Sequence, residues 1–212
     1  MAKTRTTEII QRLGENPKLG DLRSIAREIK KDHLLAMELW ATGQFHPMML
    51  AILIMDKKEL SPSLVDSMFA DMAKKDYDQR LQLADWLMAN QLTKDKKTLD
   101  LILSWKDDSK PLKRRIFWYY QGRLRWMGQP SPANTKDLLV EIEQNIAGEA
   151  PEVQWAMNFT AGWIGIFEPT LRQRCISIGE NTGLFKGEMV SRGCTPNYLP
   201  EFIAIEARKR NL

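Results

Sequence analysis

The chain has 212 residues, 43% of them hydrophobic and 27% charged, which is enough apolar material to bury a core and too much for a disordered segment. Its net charge is +4, and its two cysteines, Cys175 and Cys194, form no CxxC pair. Its two histidines, His33 and His46, leave little for a zinc site or a Ser-His-Asp triad, and both read as capping or surface residues at helix starts. No Gly-rich phosphate loop occurs. The polar N-terminus lacks the apolar core of a signal peptide, and the longest apolar run, Met48 to Met55, is too short to span a bilayer. These features point to the cytoplasm, with reduced thiols, no membrane span and no metal site.

Periodicity predicts helices throughout and no strand. A first helix starts at Asp21, after Gly20, with Leu22, Ile25, Ala26 and Ile29 on one face. A second runs from His33 to Ala41 and stops at Gly43. Pro47 suits the first turn of a third, and Ser61-Pro62 opens a fourth with Leu64, Val65, Met68, Phe69 and Met72 at helical spacing. Further helices are expected over Tyr77–Leu92, Lys96–Trp105, Lys110–Met127, Asn134–Ala147, Glu152–Ile166, Thr170–Gly179 and Pro196–Lys209. In the last, Thr195 serves as N-cap and Pro196 as first residue. The breaks recur every 35 to 45 residues or about that, close to a two-helix HEAT-like repeat. The expected fold is all-α: HEAT-like repeats forming one curved α–α superhelix over residues 1–212, with a compact helical bundle as the competing architecture.

The basic charge is concentrated. Residues Ser109 to Thr135 contain no acid but carry Lys110, Lys113, Arg114, Arg115, Arg123 and Arg125, interleaved with Phe117, Trp118, Tyr119, Tyr120 and Trp126. These six cations exceed the net charge of the whole chain. A structural helix would alternate cations with Asp or Glu, so this one reads as a phosphate-facing helix, with Lys110, Lys113, Arg114, Arg115, Trp118, Arg123 and Arg125 as candidate DNA contacts. The alternative is a solvated face whose rings turn inward. Asp107-Asp108 reads as its N-terminal cap.

Several segments together resemble the AlkD-like DNA alkylation repair family of HEAT-like repeat DNA glycosylases: Gly20 to Lys30, Met37 to Gly43, Leu83 to Met88, Leu112 to Trp118, Val153 to Phe159 and the tail Arg192 to Ile203. The resemblance implies a monomer that binds alkylated duplex DNA and hydrolyses the N-glycosidic bond of alkylated purines. Two tryptophans, an Asp and an Arg would form the cleft. A carboxylate would stabilise the oxocarbenium-like sugar, indole faces would add cation–π attraction, and arginine would hold phosphate bidentately. The chemistry that the resemblance implies requires no metal or organic cofactor. Carried onto this sequence, the arginine falls on Arg115, the Trp–Asp pair on Trp86 and Asn90, and the second ring on Phe159. Asn90 is neutral where the enzymes carry a carboxylate; Asp85, beside Trp86, is one acid that could substitute, and Asp78, in a register shifted toward Tyr77-Asp78, is another. Three readings therefore stay open: a glycosylase, a non-catalytic DNA-binding repeat protein, and a protein-interaction scaffold.

Overall fold

A helix with no polar face has to be surrounded, and the run at Met48 makes one. The computed structural model describes residues 2–212, with side chains from Arg5 onward. Among them are twelve α-helices and no strand: α1 (Ala2–Leu13), α2 (Leu19–Ile29), α3 (His33–Ala41), α4 (Phe45–Ile54), α5 (Pro62–Met72), α6 (Tyr77–Asn90), α7 (Lys96–Leu103), α8 (Pro111–Trp126), α9 (Thr135–Asn145), α10 (Pro151–Phe167), α11 (Arg172–Thr182) and α12 (Leu199–Lys209). None of these helices is long and apolar enough to cross a membrane. The chain divides into two compact units, one ending at Ser104 and one running from Trp105 to Leu212.

The first unit is organised on α4. Met48, Met49, Leu50, Ala51, Ile52 and Ile54 are all fully buried, and α2, α3 and α6 pack around them. Burying each of the large side chains contributes about 1.5–3 kcal/mol. Starts are set by side-chain caps: Asp32 accepts from Leu35 N (3.1 Å), Ser61 from Leu64 N (3.2 Å) and Asp76 from Gln79 N (2.9 Å). The additional helix α1 is mostly polar, with Ile9 and Leu13 four residues apart on its buried face. It is anchored by Ile9 and Leu13 and by two ion pairs, Arg5–Asp32 at 2.7 Å and Arg12–Glu28 at 2.6 Å.

The second unit is organised on α10, which packs against α8, α9, α11 and α12. Close approach is what glycine provides there. A Cβ on Gly122 of α8 would lie 2.6 Å from Phe159 Cδ1 and 3.0 Å from Thr160 Oγ1, and one on Gly165 would lie 2.7 Å from Ile203 Cδ1. Cys175 is buried beside Gly165, and burial pushes its thiol up to about 12. Cys194 lies exposed in a turn, and both cysteines are free.

The last helix departs from expectation. It starts at Leu199 with Pro200 in its first turn, not at Thr195-Pro196. Thr195 instead donates to Glu206, and Lys209 and Arg210 close on the same carboxylate. Burial alone would raise the Glu206 carboxyl, but these hydrogen bonds outweigh it and hold it down at about 2. Other ends shift by one to three residues; the basic helix, for instance, starts at Pro111 with Lys110 as its N-cap residue, while Asp108 accepts from Lys110 N at 2.8 Å.

Two measurements check this packing. Gly122→Ala should destabilise the protein by about 1–3 kcal/mol in denaturant melts through overpacking, whereas Gly20→Ala, in α2 with nothing within 4 Å of the added Cβ, should stabilise it by about 0.5–1 kcal/mol. Because Glu206 is depressed in the folded state, its contribution is present above the ordinary carboxylate range and lost as pH falls from 4.5 toward 2. Glu206→Gln should therefore flatten stability over that window and lower it at neutral pH.

Candidate nucleic-acid interface

In the first unit, α4 places the residues that matter. Trp86 of α6 donates its indole N–H to Met49 O (3.2 Å), and Gln91 donates to Ile52 O (2.5 Å) at the end of α4. The C-terminal end of α6 is thereby pinned to the central helix. Asn90, whose amide donates to Trp86 O at 2.9 Å, then faces a pocket of about 700 Å³.

The other walls of this pocket are cationic. Arg23, Arg27 and Lys30 come from α2 and the residue after it at i, i+4 and i+7, one helical face, joined by Lys31 and by Lys57 and Lys58 from the turn after α4. One carboxylate, Asp56, lines it as well. Asp56 accepts from Lys58 N (3.0 Å) and pairs with Lys31 (2.9 Å); the backbone N–H first, then the lysine, hold its carboxyl below the usual range. Lys57 donates to Lys94 O at 2.6 Å. Arg23 lies 5.2 Å from the Trp86 ring centroid. Arg27, Lys30 and Lys58 are exposed, with no carboxylate bound to them among the described residues. Lys30 closes α2 with φ 64° and ψ −137°, a backbone that costs a non-glycine residue about 1–3 kcal/mol.

In the second unit the cations of α8 are turned inward. Arg115 is 4% exposed. It donates to Glu152 O (3.2 Å), and its guanidinium sits 4.5 Å from the Trp155 ring centroid and 5.7 Å from that of Tyr119. Lys113, also buried, pairs with Asp108 (3.3 Å) and lies over Trp105. Arg114 grips Glu149 with two hydrogen bonds of 3.1 and 2.6 Å. Arg125 is buried, donates to Gln121 O and Thr135 Oγ1, and is lowered by desolvation with Glu168 opposing. Trp118 is buried, and its carbonyl accepts from Thr160. Lys110 is exposed and Arg123 half-exposed.

The expected site residues thus fall in both units: Trp86, Asn90 and Asp85 in the first, Arg115 and Phe159 in the second. Asn90 lines the pocket with Gln91; Trp86 and Asp85 are half-buried on the same helix. The ring against Arg115 is Trp155, and Phe159 stacks on Trp155 at 5.2 Å and 15°. The cations of α2 and of the turn after α4 were absent from the sequence-based candidates. Their signals are the four-residue spacing of Arg23 and Arg27 and the doublets Lys30-Lys31 and Lys57-Lys58, which are diluted in the sequence by Asp21, Glu28, Asp56 and Glu59.

A family model for the DNA alkylation repair enzyme matches residues 16–175. The chain belongs to the DNA alkylation repair enzyme family. The matched range of this family member includes the cationic pocket and the Arg115–Trp155–Phe159 group alike. A solved structure, described as a new family of proteins related to the HEAT-like repeat DNA glycosylases with affinity for branched DNA structures, is 22% identical, superimposes with a TM-score of 0.68, and covers 98% of this chain and 89% of its own. The fold is therefore HEAT-like. No curated protein matches the sequence.

The surroundings of Arg115 set what its removal does. Arg115→Ala removes a charged hydrogen bond and a cation–π contact from the interior and should cost about 2–4 kcal/mol of stability. Arg115→Lys should recover only part of it, because an ammonium cannot reproduce the planar contact with Trp155. Thermal melts of both variants check this, and must precede any reading of their DNA affinity.

Proposed function

We propose that this family member binds DNA through its phosphate backbone at the cationic pocket of the first unit, without hydrolysing the glycosidic bond. The observation that carries the reading is the make-up of that pocket: six cations and a single carboxylate around the position where the enzymes of the family are expected to carry an acid. Phosphates reward such a rim by counterion release. The backbone of Lys30 adds support. A lysine kept at φ 64°, where glycine would relax the chain, points to a side chain that is needed there.

The neutral Asn90 argues against hydrolysis. An amide can orient water, but it cannot offset positive charge developing on a deoxyribose. Asp56, the carboxylate that does line the pocket, is already engaged by Lys31 and the Lys58 amide. Branched DNA is the substrate to compare with linear duplex, because the structural neighbour's family has affinity for it.

Binding should weaken steeply with salt. Arg27→Ala combined with Lys58→Ala should reduce the slope of log K against log salt by about 2. Lys30→Gly should reduce it by about 1 while raising thermal stability. Titrations of linear and branched duplex at several salt concentrations read these slopes, and a parallel assay follows release of free methylated bases from alkylated duplex. Salt-independent or absent binding sinks the reading as a whole. Base release by the wild type, lost in Asp56→Asn, would overturn its non-hydrolytic part.

A further inference from the structure

The second unit carries an aromatic stripe that its core does not fully absorb. Along α10, Trp155, Phe159, Trp163 and Phe167 recur at four-residue spacing, and α8 sets Tyr119 and Trp126 against them. Trp163 stacks with Phe167 at 5.8 Å and 22°, and Trp126 leans on Phe159 (6.2 Å) and Trp163 (6.4 Å). Trp163 is only 3% exposed, and its indole N–H has no acceptor. Of the four rings packed on it, Phe159, Phe202, Trp126 and Phe167, the last two are exposed: Trp126 is 44% exposed and Phe167 41%, and Met127, next to Trp126 in the chain, is 49% exposed. Single exposed rings are ordinary; two that share one buried indole form a patch.

The charges around the patch select what could cover it. The Arg123 guanidinium lies 5.5 Å from the Trp126 centroid and is bound to no carboxylate among the described residues. Arg210 lies 4.7 Å from the Trp163 centroid, with its charge shared by Glu206. Trp126 and Met127 also lie within the Ser109–Thr135 segment that contains no acid. Arg123 thus stands over the exposed Trp126 and Arg210 over the buried Trp163, and a purely apolar protein partner would have no use for these cations. A chain of flat bases joined by phosphates would use both.

We propose that Trp126, Phe167 and Arg123 form a stacking site for unpaired nucleobases of single-stranded DNA. The proposal rests on reading the chain as a DNA-binding protein, but it does not depend on the pocket of the first unit. Each exposed ring offers a face to a base of any identity, and Arg123 meets the adjoining phosphate. Base identity is therefore not read here, whereas pairing is: a base stacked in a duplex does not present its face to the ring.

The test compares labelled oligothymidylate, which cannot form a duplex, with a blunt duplex of equal length by fluorescence anisotropy. Trp126→Ala should weaken oligothymidylate binding about tenfold and leave the blunt duplex within about twofold, and Trp126→Phe should keep most of the single-strand affinity. Phe167→Ala should act in the same direction. Trp126 is the last residue of α8 and 44% exposed, so these variants should fold, as their melts will report. Equal oligothymidylate affinity in wild type and Trp126→Ala overturns the stacking site and leaves duplex binding at the first unit untouched. Loss of duplex binding alone, on changing Arg27 and Lys58, bears only on the earlier reading. If Trp126→Ala instead converts a dimer to a monomer in light scattering with oligothymidylate affinity unaltered, the patch is a self-interface and the stacking site is wrong.

Discussion

Everything in this protein is arranged around two helices that cannot face water. α4 and α10 have apolar residues on nearly all sides, and a helix of that kind is stable only when neighbours enclose it. In the first unit the enclosing helices are α2, α3 and α6; in the second they are α8, α9, α11 and α12. The central helices also supply fixed carbonyls to hold their neighbours. Trp86 and Gln91 hang from Met49 and Ile52 on α4, and Thr160 of α10 donates to Trp118 on α8. Functional side chains are thus positioned from the core outward, and Asn90 reaches its pocket because Gln91, its neighbour, is anchored.

The same constraint explains why the cations of α8 and of α2 are disposed differently. α8 lies across α10 at a contact close enough to need Gly122. Its long cations are folded against acids and carbonyls supplied by other segments: Glu149 for Arg114, Asp108 for Lys113, the Glu152 carbonyl for Arg115. A guanidinium held this way, between Trp155 and Tyr119, gives packing and orientation to the core. α2 is shorter and presents its Arg23–Arg27–Lys30 row outward, with Asp56 as the one acid lining the pocket. Charge density in the sequence was higher on α8; charge left free at the surface is greater on α2.

Backbone binding and glycosidic hydrolysis make different demands on a pocket lined by the neutral Asn90. Backbone binding needs cations and tolerates an amide. Stabilising a sugar cation needs a carboxylate close to the sugar that is not already satisfied. The first requirement is met by several side chains on two segments, so it does not depend on any single residue. The second depends on one, and Asp56, the acid that lines the pocket, is occupied by Lys31 and the Lys58 amide.

The helices were legible in the sequence because their signals are local: Ser61-Pro62, Asp32 and Asp76 are caps that act within one turn, and the Met48 run declares a buried helix whatever surrounds it. Segments of residue order spread along the chain were enough to suggest the family. Where the signals were weak, ends moved. The last helix begins at Leu199 because Thr195 is taken by Glu206 eleven residues later, and α1 exists through Ile9, Leu13 and its ion pairs with later residues. The fate of the charges was decided only by the tertiary structure. An acid-free stretch of sequence looks unbalanced when its counter-charges lie some 35 residues away, as Glu149 does from Arg114. Electrostatic pairing acts through space, and no spacing rule along the chain can report it.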